Sequence, residues 1–161
     1  GRTPWGTWVS CEETRGGQCW QVDPTGQKES EMTNLLESHG AQAEAVACDY
    51  RNSSQLLCFV TEDSIDGALR RYIVDPALHN DTWDLLHGEG GRRSYLAFGP
   101  NKTFYWTDSL EEGRVSARNY YRNTEGIDFR DGRLFFVAKK TKELFILGLD
   151  KMVYTVQNTD E

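Results

Sequence analysis

The segment TPWGTWVSCEET, residues 3–14, combines metal-binding side chains with the composition of a β-strand. Cys11, Glu12 and Glu13 offer one soft sulfur ligand and two hard oxygen ligands within three residues. A thiolate with carboxylates suits iron, and carboxylate oxygens suit calcium. The tryptophans and β-branched residues that precede them are typical of a strand. Metal binding is therefore the first hypothesis for this segment.

A repeat places further acidic residues at related positions of the chain. Residues 43–75 can be laid over residues 124–150 with small gaps, because each stretch contains a Glu, a β-branched residue, an Asp, a turn and two apolar strands. The equivalent glutamates are Glu44 and Glu125, which lie 125 − 44 = 81 residues apart. A weaker third copy covers residues 8–24.

Antiparallel repeats of this size predict an all-β fold of β-propeller blades, each of which buries its faces only against its neighbours. The candidate blades are residues 5–24, 43–76 and 124–157. Because a propeller ring needs at least about four blades, residues 1–161 are predicted to form two to three blades of a larger propeller, as one domain or as part of one.

Propeller geometry also predicts where the acidic residues meet. The innermost strands line one channel, so Glu44 and Glu125 are expected to converge there and to repel each other unless a cation compensates them. Glu12–Glu13 and Glu62–Asp63 follow the next strand in two of the repeats and are predicted to reach the same channel mouth. Lys139–Lys140 stand at the corresponding place in the last repeat. Taken singly, these acids would instead be solvated turn residues.

Strand patterns dominate the rest of the chain. β-branched and aromatic runs bounded by turn residues predict strands at 56–63, 70–76, 94–100, 103–109, 133–140, 143–149 and 152–157. The best helix candidate, residues 27–38, is short and lacks a clear apolar face. Glu111–Glu112 have no counterpart in the repeats and are interpreted as a surface pair.

Composition excludes several function classes. The chain of 161 residues has 18 basic and 25 acidic residues, a net charge of −7, and no basic stripe, so a nucleic-acid partner is not expected. No apolar run approaches the length of a membrane span, and none is predicted. The opening GRTPWG resembles no secretion signal, so the numbering is expected to begin after processing.

Cysteines and sequons indicate an oxidising compartment. Cys11, Cys19, Cys48 and Cys58 allow three disulfide pairings, or free thiols that bind metal. Pairing of Cys11 with Cys19 across a hairpin competes with metal binding, and Cys48 and Cys58 favour a cross-strand disulfide or two buried thiols. Glycosylation sequons begin at three asparagines: Asn52, Asn80 and Asn101. Together these features predict a secreted, extracellular or lumenal glycoprotein.

Beyond these patterns, TPWGTWVSCEE strongly resembles the signature of PhoX-type alkaline phosphatases, T-P-W-G-T-W-x-[ST]-C-E-E. These are secreted six-bladed propeller enzymes with a mixed calcium and iron cluster. The segments EAVACD, VTED and EGIDF are also similar to blade motifs of the family, so the resemblance covers most of the chain in order. It is nearest to the eukaryotic, algal members.

The resemblance implies a metal-dependent hydrolysis of phosphate monoesters that needs no protein nucleophile. It implies a thiolate from Cys11 on iron, and carboxylates shared between iron and calcium. These carboxylates would come from Glu12 or Glu13, Glu44, Glu62 or Asp63, and Glu125. The implied catalytic residues are Cys11, Glu125 and Arg122.

The chain departs from the family pattern at two positions. Asn123 stands where the family has an Arg two residues before the Glu of EGID, and Arg122 lies one place further back. Ala43 replaces the His expected before Glu44. The alternative hypothesis is a non-catalytic propeller scaffold with at most a structural calcium, acting as an interaction subunit whose protein partners complete or flank the propeller.

Overall fold

The computed structural model describes residues 1–159 as a mostly β structure, which confirms the predicted class. The strands are β1 Trp8–Cys11, β2 Cys19–Val22, β3 Glu31–Met32, β4 Ala43–Asn52, β5 Gln55–Glu62, β6 Arg70–Val74, β7 Arg92–Phe98, β8 Phe104–Thr107, β9 Thr124–Arg130, β10 Arg133–Ala138, β11 Glu143–Gly148 and β12 Val153–Asn158. One α-helix, α1, spans Leu110–Tyr120, and short 3-10 turns occupy Pro76–Leu78 and Asp84–Leu86.

The strands form three antiparallel sheets in which each strand lies beside the next in sequence. The first sheet contains β1–β3, the second contains β4–β8, and the third contains β9–β12. Candidate blades 5–24 and 43–76 supply the opening strands of the first and second sheets, and candidate blade 124–157 covers the four strands of the third. Over residues 1–159 the sheets close into neither a barrel nor a propeller ring.

The second sheet is covered on both faces. On β5, Leu56, Cys58 and Val60 point into a core shared with the first sheet, whereas Phe59 points into a core shared with the third. This alternation follows from the period of two along a strand. The second core is rich in stacked rings, with the centroids of Phe136 and Phe145 5.0 Å apart. The three sheets are therefore stacked in chain order.

The first strands of successive sheets lie next to one another. β1 packs against β4, and β9 packs against β4 and β5. The Thr61 hydroxyl donates to the Glu125 carbonyl at 2.7 Å, and the Glu62 amide donates to the Thr124 hydroxyl at 3.1 Å. These contacts hold the start of β9 against the end of β5.

The helix of the structure is not the one that the sequence favoured. Residues 27–38 contain β3 and irregular backbone, whereas α1 was missed because Gly113 and Ser116 are weak helix formers. Tertiary contacts need these residues: a Cβ on Gly113 would lie 2.6 Å from the Tyr95 side chain, and the Ser116 hydroxyl accepts from the Phe98 amide at 3.0 Å. None of the helices in residues 1–159 is long and apolar enough to cross a membrane.

All four cysteines form cross-strand disulfides. Cys11 is bonded to Cys19, and Cys48 is bonded to Cys58. In each pair the two residues lie directly opposite each other in the β1–β2 and β4–β5 ladders. Two disulfides are typical of proteins that fold in an oxidising compartment.

Replacing Cys48 and Cys58 by serine is expected to lower the free energy of unfolding by about 2–3 kcal/mol, because the disulfide restricts a short loop of the unfolded chain. The two residues are 10 apart in sequence. Urea titration of the double variant and of the wild type measures the loss. An unchanged midpoint would contradict this disulfide.

Candidate metal centre

Four carboxylates meet where the first strands of the three sheets lie together. They belong to Glu13 after β1, Glu44 near the start of β4, Asp63 after β5 and Glu125 near the start of β9. One carboxylate oxygen from each of Glu13, Glu44 and Asp63 lies within 4.8 Å of the other two. Glu125 joins them through its charge interaction with Glu44 and its ion pair with Lys139. We call these four residues the carboxylate cluster.

Backbone and amide contacts hold Asp63 in this position. Its amide donates to the Gln42 carbonyl at 2.9 Å, and the Asn123 side-chain amide donates to Asp63 Oδ1 at 2.9 Å. Asn123 has a positive φ of 53°, a conformation that asparagine tolerates better than most residues. The backbone N–H of Asn123 donates to the Ser64 carbonyl at 2.9 Å, which joins the start of β9 to the turn after β5.

One lysine partly neutralises the carboxylate cluster. Lys139 Nζ lies 2.6 Å from Asp63 Oδ2 and also contacts Glu125 Oε1. These two carboxylates raise the pKa of Lys139 through hydrogen bonds and charge. One ammonium faces four acidic side chains, so the cluster keeps a net negative charge when all four are ionised.

The cluster disturbs the pKa values of its own acids. Burial, a hydrogen bond with Glu13 and the charges of Glu125, Glu13 and Asp63 raise the pKa of Glu44 to about 7. Burial acts in the same direction on Asp63, but hydrogen bonds from Lys139 and Asn123 outweigh it and lower the pKa of that carboxyl. At neutral pH Glu44 therefore shares a proton within the cluster, while Asp63 is ionised.

The donor set fits a hard divalent cation. Every ligand atom offered is a carboxylate oxygen, the ligand type that calcium prefers. Glu44 Oε2 is buried and has no hydrogen-bond partner among residues 1–159. A buried acceptor without a partner is costly, and a cation at this point would satisfy it.

The prediction that Cys11 is an iron ligand and a catalytic residue is wrong in this structure. Its sulfur is bonded to Cys19, and a disulfide sulfur is not a thiolate. The Cys11 side chain packs against the core between the first and second sheets, with Trp5, Cys48 and Tyr50. The carboxylate cluster therefore has no soft ligand for iron.

Three other predicted residues are engaged outside the carboxylate cluster. Glu12 is exposed, and its Oε2 accepts from the Gln18 amide at 2.8 Å, closing the β1–β2 hairpin. Glu62 points to the opposite side of the chain from Asp63 and pairs with Arg70 at 2.6 Å. Arg122 is exposed, and its Nε donates to the Arg118 carbonyl in α1. Among the described residues, this hydrogen bond does not connect Arg122 to the carboxylate cluster.

Sequence reasoning missed the roles of Lys139 and Asn123. The repeat aligns Lys139 with Glu62–Asp63, and this opposite charge at an equivalent position is the available signal. In the sequence, Asn123 stands out only as a departure from a family pattern. The sequon asparagines Asn52, Asn80 and Asn101 are all exposed, as their loop sequences predict.

Removing the Glu44 charge is expected to change the pH dependence of stability. Because the folded state raises the pKa of Glu44 from 4.5 to about 7, folded protein holds this proton more tightly than unfolded protein, and stability falls as pH rises between these values. In calcium-free buffer, Glu44→Gln should be more stable than wild type by ~1 kcal/mol at pH 8, after discounting for solvent screening, and equal near pH 4.5. Urea titrations at several pH values measure the difference. The same slope in both proteins would contradict the assignment, and Glu12→Gln is the control outside the cluster.

The sequence matches no known family model, and neither a curated protein nor a solved structure is significantly similar to it.

Proposed function

We propose that the carboxylate cluster binds calcium and that the chain belongs to a PhoX-like hydrolase of phosphate monoesters. The observation that carries the calcium site is the approach of Glu13, Glu44 and Asp63 within 4.8 Å around a buried, unpartnered oxygen of Glu44. The resemblance of residues 3–13 to the PhoX signature supports the reaction class.

Glu13, Glu44, Asp63 and Glu125 would hold the calcium, which would supply positive charge to phosphate oxygens. The protein's own contribution is orientation and charge. Asn123 fixes the Asp63 carboxylate, and Lys139 brings an ammonium to the same place. Glu44 holds a proton near neutral pH, so calcium binding should release protons to solvent.

Iron does not fit the residues of this chain as they are paired. Its expected soft ligand, Cys11, is oxidised to a disulfide. The proposal therefore includes calcium and leaves out an iron-dependent step.

The three sheets are proposed to be blades of a larger, six-bladed β-propeller. Two observations support this: each sheet is a meander, and the first strands of the sheets adjoin one another. We also propose a secreted or lumenal location for the protein, supported by its two disulfides and three exposed sequons.

Hydrolysis of p-nitrophenyl phosphate by the native protein, with calcium added and with calcium chelated, tests the proposal. Activity should require calcium and should fall at least ~100-fold in Asp63→Asn, because a charged ligand of the site is lost. Glu12→Gln should retain activity, since Glu12 lies outside the cluster. Turnover that persists under chelation or in Asp63→Asn would overturn the proposal.

Two observations favour a second function, a non-catalytic scaffold with a structural calcium. The Cys11–Cys19 disulfide removes the soft ligand that the enzyme family uses, and Lys139 occupies part of the cluster. A scaffold would gain thermal stability from calcium without hydrolysing the ester. Calcium titration by calorimetry, run beside the phosphatase assay, separates the two functions.

A further inference from the structure

A second polar site lies between the second and third sheets. There a cavity of about 240 Å³ is lined by Leu57, Arg71, Trp106 and Met152, among others. It adjoins a cavity of about 310 Å³ with which it shares Asp49, Arg51, Gln55, Leu57 and Asp150. Asp49 and Arg51 lie in the second half of β4, whereas Glu44 lies near its start. The groove is therefore separate from the carboxylate cluster.

Arg71 is the unusual group in this groove. Its Nε donates to the buried hydroxyl of Ser94 at 3.0 Å, and its guanidinium carbon lies 4.6 Å from the centre of the Trp106 ring. Among residues 1–159, none of the carboxylates lies within ion-pair distance of this guanidinium. Burial and the neighbouring charge of Arg92 lower the pKa of Arg71 to about 10, against the opposing effect of the Asp108 charge.

The other charges of the groove already have partners. Arg51 pairs with Asp49 at 2.8 Å and with Asp150 at 3.4 Å, so one cation serves two carboxylates and the trio keeps one net negative charge. Arg71 is left as a half-buried cation with no carboxylate in ion-pair contact, and Asp108 acts on it only through charge at longer range. A half-buried arginine is well suited to a planar acid group because its nitrogens form a fixed fork of donors.

We infer that this groove binds a small organic carboxylate, with the acid group on Arg71 and an apolar body against Trp106, Leu57 and Met152. The apolar walls favour a ligand with a hydrophobic part over an inorganic anion. A single free guanidinium next to Asp49 and Asp150 favours a monoanion over a phosphate dianion. This binding site is independent of the proposed function and lies at a different place in the fold.

The test uses 3-phenylpropionate as the probe and its uncharged amide as the matched ligand. Binding is followed by the indole N–H resonance of Trp106, assigned with Trp106→Phe, in heteronuclear NMR spectra. The carboxylate should shift this resonance saturably, and the amide should bind at least ~10-fold more weakly, since a charge-assisted hydrogen bond is lost. Absence of a saturable shift, or equal binding of the amide, would overturn the inference.

Variants distinguish a binding role of Arg71 from simple support of Trp106. Arg71→Gln should weaken 3-phenylpropionate binding at least ~10-fold, and Arg71→Lys should restore part of the affinity because it keeps the charge. Arg92→Gln removes a nearby exposed charge and should change affinity less than ~2-fold. The dispersion of the spectra shows whether each variant is folded. If Arg92→Gln weakened binding as much as Arg71→Gln, the effect would come from general charge and the inference would fail.

Discussion

Replacing Arg70 with methionine is expected to lower the free energy of unfolding by about 3–5 kcal/mol, because it leaves buried carboxylates without their cation. Arg70 is fully buried and pairs with Glu37 Oε2 at 3.0 Å and with Glu62 Oε2 at 2.6 Å. Its Nη1 also donates to the Ala68 carbonyl at 3.0 Å. Methionine would keep much of the packing volume but none of these contacts.

The network around Arg70 extends to Glu37, in the connection between β3 and β4, and to Tyr95 on β7. The Tyr95 hydroxyl donates to Glu37 Oε1 at 2.6 Å. Although burial opposes it, the charge of Arg70 and this hydrogen bond lower the pKa of Glu37. The same network fixes Glu62, the residue before Asp63, so its loss should also disturb the carboxylate cluster.

Urea titration measures the effect, and Arg118→Met is the matched control. Arg118 pairs with Asp66 at 3.1 Å, but both side chains are about half exposed, so its replacement should cost less than ~1 kcal/mol. Adding Glu37→Gln and Glu62→Gln to Arg70→Met should recover part of the loss, since the uncompensated charges are removed. Equal losses for Arg70→Met and Arg118→Met would contradict the buried ion network.

Replacing Lys139 with glutamine is expected to strengthen calcium binding about tenfold, because the ammonium and the cation compete for the same carboxylates. Lys139 contacts both Asp63 and Glu125, two of the four proposed ligands. Without calcium, the variant should be less stable than wild type at pH 8, where the carboxylates repel one another. Calorimetric titration with calcium measures the affinity.

Lys140→Gln is the matched control for this experiment. Lys140 is adjacent and also exposed, but its charge acts on Asp63 without the close contact that Lys139 makes. Its replacement should change the calcium affinity less than ~3-fold. An unchanged calcium affinity in Lys139→Gln would place the calcium site elsewhere. A loss of affinity would mean that Lys139 positions the carboxylates for calcium, and both results would contradict the prediction.

Several features of this protein could be predicted from sequence because they are local. Runs of β-branched and aromatic residues between turn residues located strands such as β5, β7 and β10, since both signals are visible in a short window. The internal repeat identified Glu44 and Glu125 as equivalent, and this equivalence holds in space because the first strands of the sheets adjoin. The exposure of the sequons likewise followed from their turn residues.

Other features were decided only by tertiary structure. α1 forms although its own sequence favours it weakly, because Gly113 and Ser116 fit against β7. Cys11 bonds to Cys19 because the β1–β2 register places the two residues opposite each other. The sequence left this hairpin pairing open beside metal binding by Cys11, and the observed register decided between the two.

The clearest division is between Glu62 and Asp63, which the sequence presents as one acidic pair. Glu62 turns to the buried Arg70, and Asp63 turns to Asn123, Lys139 and the carboxylate cluster. The sequence determined that acidic side chains would stand at the end of β5. Which of the two faces the metal centre depended on how the sheets pack. Neighbouring residues of an extended chain point to opposite sides, and only contacts with residues distant in sequence make one side different from the other.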